Sequence, residues 1–425
     1  MTSDRQPWRV WATTVEGVGL AVLVADGGTP AWQVVRCAGV TAAFAAASLL
    51  QRSRRPWVPL VVSAVAGLVG SVVGAGIGLG QLAKSEVRVP SVAALVVLVA
   101  ALPLLVGGTV GLVRMLRGWS RLLAVPAVYV VLQFVVLPVS IGVYAANAPP
   151  GSLGTADPGT YGLRYRTVSF ATSDGVALAG WYTPSTNGAA VVVVPGAGST
   201  RSTVLRQGAV LARSGYGVLF MDNRGHGTSG GTAMDFGWWG QRDLAAAVTY
   251  LEHRDDVRAG RIGILGESMG GEEAIGAIGS DPRVRAVVAE GVTGGTFADT
   301  SWRGDSLEAL VSRADSWISY AVAGLLSSAP QPPSLRASLR AAAPRPALLV
   351  EGRGEAAPGR YFRSAAPGSV QLLDLPDSPH TGGLRAHPVV WERHVERFFA
   401  RDLLGPVPRP RSGSGAGRAG THRRG

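Results

Sequence analysis

Of 425 residues, 47% are apolar and only 16% are charged, a balance too greasy for an ordinary soluble protein in a chain long enough for two or three domains. The formal net charge is +12, yet residues 1–150 carry 11 basic and 4 acidic groups, residues 401–425 carry 6 and 1, and residues 151–400 carry 23 of each. Nucleic-acid binding needs a basic face on a folded domain, and this neutral middle argues against it; the single cysteine, Cys37, excludes an internal disulfide and a cysteine-based zinc site.

The first apolar run, about residues 10–26 and including "VWATTVEGVGLAVLVA", is short and carries Glu16. It spans a bilayer, lies in its interface, or mimics a signal peptide without a small-residue cleavage site. Four later runs are long enough to span: Pro30–Leu50, Trp57–Ala83, Pro90–Val113 and Leu122–Ala146. Arg36 sits near one end of the first of these, where its stem can snorkel to the interface. The loops "QRSRRP" and "RMLRGWSR" hold three arginines each, "KSEVR" is mixed, and "NAPPGSLGTADPGTYG" has no basic residue. Arginine-rich short loops stay cytoplasmic. Residues 1–146 therefore read as an all-α transmembrane bundle in the cell membrane, with membrane lipids as partners and everything after about Asn147 on the outer side.

A Gly/Pro-rich linker is expected at 147–162, followed by an α/β domain at 163–404. "RTVSFATSDGVALAGWYTP" reads as a hairpin turned at Ser173-Asp174-Gly175. The runs "AAVVVVPG", "GVLFMDNRG", "RIGILGE", "VRAVVAEGV", "PALLVEGRG" and "SVQLLDLPD" are mostly continuous Val/Ile/Leu, the pattern of strands buried on both faces. Helical patterns fall at Thr203–Arg213, Trp238–His253, Met269–Ile278 and Pro388–Leu403. This alternation predicts a doubly wound, mainly parallel sheet. The stretch of about 296–343 interrupts it and reads as a helical cap between two strands. The low-complexity residues 405–425 read as a disordered basic tail.

Two copies of G-x-S-x-G occur, Gly266-x-Ser268-x-Gly270 and "GTSGG" at Gly227–Gly231. With 58 glycines in the chain, the motif needs its context to mean anything. Ser268 follows the buried-type strand "IGIL" and precedes a helix, the strand–nucleophile–helix turn that lifts a hydroxyl out of the sheet and aims the next backbone N–H groups, Met269 among them, at a reacting oxygen. Ser229 sits in a Gly-rich loop. A serine hydroxyl needs a base, and the base an acid to orient it. Loops at the carboxyl ends of later strands supply His380 and Glu355; Asp374 and Asp377 are the alternative acids.

With this order of serine, acid and histidine, the chain from about Arg166 to Leu403 resembles the α/β-hydrolases. It is most similar to the esterase, monoacylglycerol-lipase-like and serine aminopeptidase-like group with D-x-R-G-H-G-x-S ahead of the nucleophile, here Asp222, Arg224, Gly225, His226, Gly227 and Ser229. The resemblance implies a serine hydrolase that cleaves an ester, thioester or amide of a small-molecule or lipid-like acyl substrate, without metal or cofactor. It makes Ser229 part of a loop motif, Arg224 and His226 loop-holding residues, and Ala197 and Met269 the oxyanion donors. Two positions depart from the family: Pro195-Gly196-Ala197-Gly198 stands where His-Gly is frequent, and Glu355 where Asp is commoner. Glu267 reads as a group supporting the turn, and His387 and His394 as surface groups of the last helix. In the cap, Trp302, Trp317, Leu325 and Leu326 offer apolar surface to an acyl chain. The alternative from another class is a non-catalytic membrane scaffold or receptor that retains the fold.

Overall fold

The computed structural model describes residues 7–25, 30–79, 89–148, 150–231 and 234–405; the expected tail past Gly405 and the whole of "KSEVR" lie outside them. The elements among the described N-terminal residues are helices: α1 Pro7–Val24, α2 Pro30–Leu50, α3 Trp57–Gly74 extended by a π turn at Ala75–Leu79, and α4 Val89–Met115. A 3-10 turn at Gly118–Leu123 leads into α5 Ala124–Val131, a π turn Leu132–Val136 and α6 Leu137–Asn147. Among the described residues, four stretches are long and apolar enough to cross a membrane: Gln33–Leu50, Trp57–Gly78, Val89–Met115 and Gly118–Asn147. A helix suits such sequence because it satisfies every backbone polar group internally. The short run with Glu16 is α1, which packs along α2 and α4 with Glu16 buried. Packing between α3 and α4 is close because glycines line the seam: a Cβ on Gly67 would lie 2.2 Å from the Leu105 nitrogen, and one on Gly108 2.4 Å from the Ala64 nitrogen. Gln51 Nε2 donates to Thr13 Oγ1 at 3.2 Å and Ser63 Oγ at 3.0 Å, knitting the same layer.

The segment expected as a linker is packed rather than free. Asp157 caps a 3-10 turn at Pro158–Tyr161 by accepting from the Thr160 N–H, and Leu153, Ala156, Tyr161, Leu163 and Tyr165 rest against the core of the following domain. Its apolar residues, thinly spread among Gly and Pro, drive that packing.

The strands are β1 Arg166–Ala171, β2 Ala177–Thr183, β3 Ala190–Val194, β4 Gly217–Met221, β5 Ile262–Glu267, β6 Val284–Glu290, β7 Ala347–Glu351 and β8 Val370–Asp374. They form one 8-stranded sheet in the order β1-β2-β4-β3-β5-β6-β7-β8. The hairpin β1–β2 and the β2–β4 pair are antiparallel, and all pairs from β4 to β8 are parallel. Helices α7 Leu205–Arg213, α8 Gly240–Glu252, α9 Met269–Ser280, α10 Leu307–Leu326, α11 Leu335–Ala342, α12 Ala356–Arg363, α13 Gly383–Ala386 and α14 Pro388–Phe399 complete the domain. The valine run of β3 explains the two-faced burial. Ala190, Val192 and Val194 enter a core with residues of α8, α9 and α11, while Val191 and Val193 enter the opposite core with Leu205, Leu211, Trp391 and Phe399.

Three expectations need correction. Helix α11 is not cap: Leu335 and Leu339 are buried in the core against α9, so the insertion over the sheet narrows to a 3-10 turn at Phe297–Arg303 and α10. Leu326 of α10 is half-buried and packs with Val322 against the bundle core around Ile77 and Val143, which takes up its side chain in place of a substrate. Arg36 does not snorkel. It is buried, and its Nη1 donates to the Leu326 carbonyl at 2.7 Å, capping the C-terminal end of α10 where helix carbonyls lack internal donors.

Candidate active site

The chain reverses winding direction at β3, whose neighbours are β4 on one side and β5 on the other. Loops leaving the carboxyl ends of β3 and β5 must part there, which opens a crevice. Ser268 leaves β5 into that crevice with φ 52° and ψ −120°, a left-handed conformation that a non-glycine residue adopts only under constraint. The constraint is the sharp turn from β5 into α9. A Cβ on Gly266 would lie 2.1 Å from the Gly270 oxygen, and one on Gly270 2.5 Å from the Pro195 oxygen, so only glycine fits on either side of Ser268. The Ser268 N–H donates to the Glu290 carbonyl at 2.7 Å, pinning the turn to β6.

His380, on the loop after β8, brings Nε2 to 2.9 Å from Ser268 Oγ. Its Nδ1 bonds Glu355 Oε1, and Glu355 Oε2 accepts from the Gly352 N–H at 2.8 Å. The hydrogen bond to Glu355 raises the His380 pKa above 6.5 against the opposing effect of burial. Burial pushes Glu355 up, but His380 and the Gly352 N–H outweigh it and hold the carboxyl below its usual range. Asp374 and Asp377, the alternative acids, are exposed.

Gly196 lies so near Ser268 that a Cβ there would be 3.1 Å from the Ser268 Cβ. Ala197 follows it, and Met269 opens α9, where the first-turn N–H groups have no partner within the helix. His226 Nε2 accepts from the Gly198 N–H at 3.1 Å, which leaves the proton on Nδ1 to donate to the Arg224 carbonyl at 2.9 Å. The D-x-R-G-H-G segment thus holds the Ala197 loop from behind. Buried Asp222 accepts from the Arg201 N–H at 2.7 Å and the Thr228 N–H at 3.1 Å and pairs with the Arg201 guanidinium. Arg224 bridges Asp174 and Asp243 and lies over the Trp239 ring. Ser229 Oγ accepts from the Ala179 N–H at 2.8 Å and donates to the Asp222 carbonyl at 2.7 Å, tying β2 to the end of β4.

Glu267 is buried beside Gln207, and burial followed by the neighbouring Glu290 raises its carboxyl to about 8. Trp302 donates its indole N–H to the Thr293 carbonyl at 2.9 Å and packs against the core, whereas Trp317 stands 57% exposed on α10. His394 is exposed and donates to the Val390 carbonyl, and His387 precedes α14 half-buried. No cluster of three His, Cys, Asp or Glu side chains fit to hold a metal occurs among the described residues.

Glu351, the last residue of β7, is wholly buried, and neither carboxyl oxygen meets a hydrogen-bond donor among the described residues. Burial, then the proximity of Glu355, Glu290 and Asp374, pushes it up to about 10. A pKa above the unfolded value makes its contribution to stability full at pH 4 and progressively lost as pH climbs toward 10, by about 1.4 kcal/mol per unit at most. Glu351→Met is therefore expected to flatten the fall of the unfolding midpoint between pH 5 and pH 9. A variant whose midpoint falls as steeply as wild type contradicts this account.

A family model described as serine aminopeptidase, S33, matches residues 185–301. An uncharacterised protein of Mycobacterium tuberculosis is 37% identical over 114 residues, which are 26% of this chain and 40% of that protein. Bis(hydroxyethyl) terephthalate hydrolase of Streptomyces coelicolor is 31% identical over 149 residues, 33% of this chain and 46% of the relative. The chain thus spans less than half the length of these curated relatives. A Pyrococcus furiosus esterase structure superposes with a TM-score of 0.50 at 25% identity, covering 60% of this chain and 98% of the esterase. The C-terminal domain has the α/β-hydrolase fold. Within the hydrolase domain the family model covers Ser268 and the loop-holding segment, while His380 and Glu355 lie beyond its matched residues.

Proposed function

We propose that this α/β-hydrolase is a membrane-anchored serine hydrolase cleaving an ester, with thioesters and amides open to the same acyl-transfer chemistry. The observation that carries the reading is the unbroken hydrogen-bond path Ser268–His380–Glu355 at the crevice where the sheet reverses. His380 Nε2 takes the hydroxyl proton as Ser268 Oγ bonds the acyl carbon, and the carbonyl electron pair moves to oxygen beside the Ala197 and Met269 N–H groups. Collapse expels the alcohol, which takes the proton back from His380. Water then repeats the sequence and frees the acid. Glu355 keeps the imidazole oriented and stabilises its cationic form. The test is covalent labelling of the full chain by a fluorophosphonate: labelling at Ser268 supports the reading, and folded protein that stays unlabelled overturns it.

In this reading the bundle of residues 1–146 anchors the enzyme, and the arginine-rich loops after the first and third spans support a catalytic half outside the cytoplasm. A phosphatase-type reporter fused after Gly162 is accordingly expected to be active, and one within Gln51–Pro56 silent. The opposite pattern would make catalysis cytoplasmic, with intracellular acyl metabolites as substrates.

A further inference from the structure

Helix α10 does not simply cover the catalytic crevice; it is joined lengthwise to the fourth span. At one end Gln133 Nε2 donates to Asp315 Oδ2 at 2.6 Å. One turn on, Ser319 Oγ donates to the Pro138 carbonyl at 3.0 Å, and α6 comes so near that a Cβ on Gly142 would lie 2.6 Å from the Ser319 oxygen. Val322 and Leu326 then enter the bundle core beside Val139 and Val143, and Arg36 of α2 closes the end of the helix. Two spans therefore grip one cap helix.

The outer face of α10 is a single apolar stripe. Leu310, Ala314, Trp317, Ala321 and Leu325 recur at helical spacing, so they share one side. Leu310, Trp317 and Leu325 are 49%, 57% and 59% exposed. Of the helix's own charges, Arg313 pairs with Asp305 and Asp315 accepts from Gln133, while Glu308 is exposed in the first turn on the side opposite the stripe. On α6, Leu137, Ile141 and Tyr144, one position before Pro138, Gly142 and Ala145, are exposed as well and extend the apolar surface. Water is the wrong solvent for a surface of this kind. Its continuity with a span names the right one.

The inner face of the same helix meets the catalytic crevice. Tyr320 packs edge-on against Phe236 at 4.9 Å and donates to the Gly294 carbonyl at 3.1 Å, while the Gly294 N–H donates to Glu272, one turn after Ser268. The end of α6 reaches the oxyanion loop itself, with the Tyr144 hydroxyl 3.9 Å from where a Gly198 Cβ would stand. The exposed apolar surface and the crevice-facing surface thus belong to one helix layer, and Tyr144 borders both.

Resting on the serine-hydrolase reading above, we infer that α10 is seated in the bilayer as the lip of the catalytic crevice. The substrate class is then a long-chain acyl ester of the adjoining leaflet, which reaches Ser268 sideways out of the membrane rather than from water.

The test uses the full chain in phosphatidylcholine vesicles. In a Cys37→Ser background, single cysteines replacing Leu310, Trp317 or Leu325 carry a nitroxide, with Arg393→Cys on exposed α14 as the aqueous control. All three α10 labels are expected to collide with oxygen in preference to a water-soluble nickel chelate, and the control with nickel. Labels on α10 that meet nickel as freely as the control overturn the seating, whatever the protein's activity. The double change Leu310→Glu with Ala314→Glu is expected to lower hydrolysis of a long-chain monoacylglycerol held in the vesicles at least ten-fold, while p-nitrophenyl acetate is hydrolysed within two-fold of wild type. Unchanged vesicle hydrolysis overturns the lateral route alone; wild type that cleaves neither ester overturns the hydrolase reading, and the lateral route with it.

Discussion

Replacing Ser268 with alanine is expected to abolish fluorophosphonate labelling and lower turnover of a soluble ester by about 10⁴- to 10⁶-fold, the range seen when a triad nucleophile is removed. The fold should survive. Ser268 Oγ has one partner, His380, and its strained backbone is held by Gly266, Gly270 and the Glu290 carbonyl rather than by its side chain. The Ser229→Ala change runs the other way. Its hydroxyl joins β2 to β4 through two hydrogen bonds, so its loss costs about 1–2 kcal/mol of stability and leaves labelling in place. A Ser229→Ala protein that folds but no longer labels, beside a Ser268→Ala protein that still does, would reverse the choice of nucleophile.

Changing Glu355 to Gln is the second large effect, about 10³- to 10⁴-fold in kcat, because the amide can present either a donor or an acceptor to Nδ1 and no longer stabilises the imidazolium. It also moves the pH profile. In the proposed mechanism the base form of His380 is the active one, and its pKa is raised above 6.5, first by the bond to Glu355, so wild-type kcat/KM should rise as pH climbs through a midpoint above 6.5. Without the carboxylate that midpoint falls. Asp374→Asn and Asp377→Asn should leave both rate and midpoint near wild type, since both side chains are exposed and neither bonds His380. An unmoved midpoint in Glu355→Gln, or a loss of activity in Asp374→Asn, would move the acid elsewhere.

The strands were readable because valine runs such as "AVVVV" admit few other fates, and Ser268 because a buried strand precedes it and small residues flank it. His380 and Glu355 were reachable by asking which side chains follow the last two strands. Helix α12 was hidden because it begins at Ala356, directly behind Glu355, with Pro358 and Gly359 in its first turns; proline is tolerated there because a first-turn N–H has no partner within the helix. Long-range partners left no local trace. Nothing near Arg36 says that its guanidinium closes a helix ending 290 residues later. Nothing in "NAPPGSLGTADPGTYG" fixes where Leu153 and Tyr161 pack, since scattered apolar residues in a polar stretch are compatible with water or with a core. Glu351 reads as an ordinary strand-end carboxylate until the sheet buries it.

The packed segment that joins the two halves acts as a strut. Leu153, Ala156 and Tyr161 rest on the same core as α14, and α10 is bonded to the fourth span at Gln133 and Pro138, so the two halves meet through packed contacts. With the bundle in a bilayer, as proposed, Ser268 is held at one height above the lipid and one orientation toward it. Encounter then becomes a search in two dimensions, in which the effective concentration of substrate is its mole fraction in the leaflet. Diluting the membrane with an inert lipid would slow such an enzyme, while diluting the whole suspension with buffer would not.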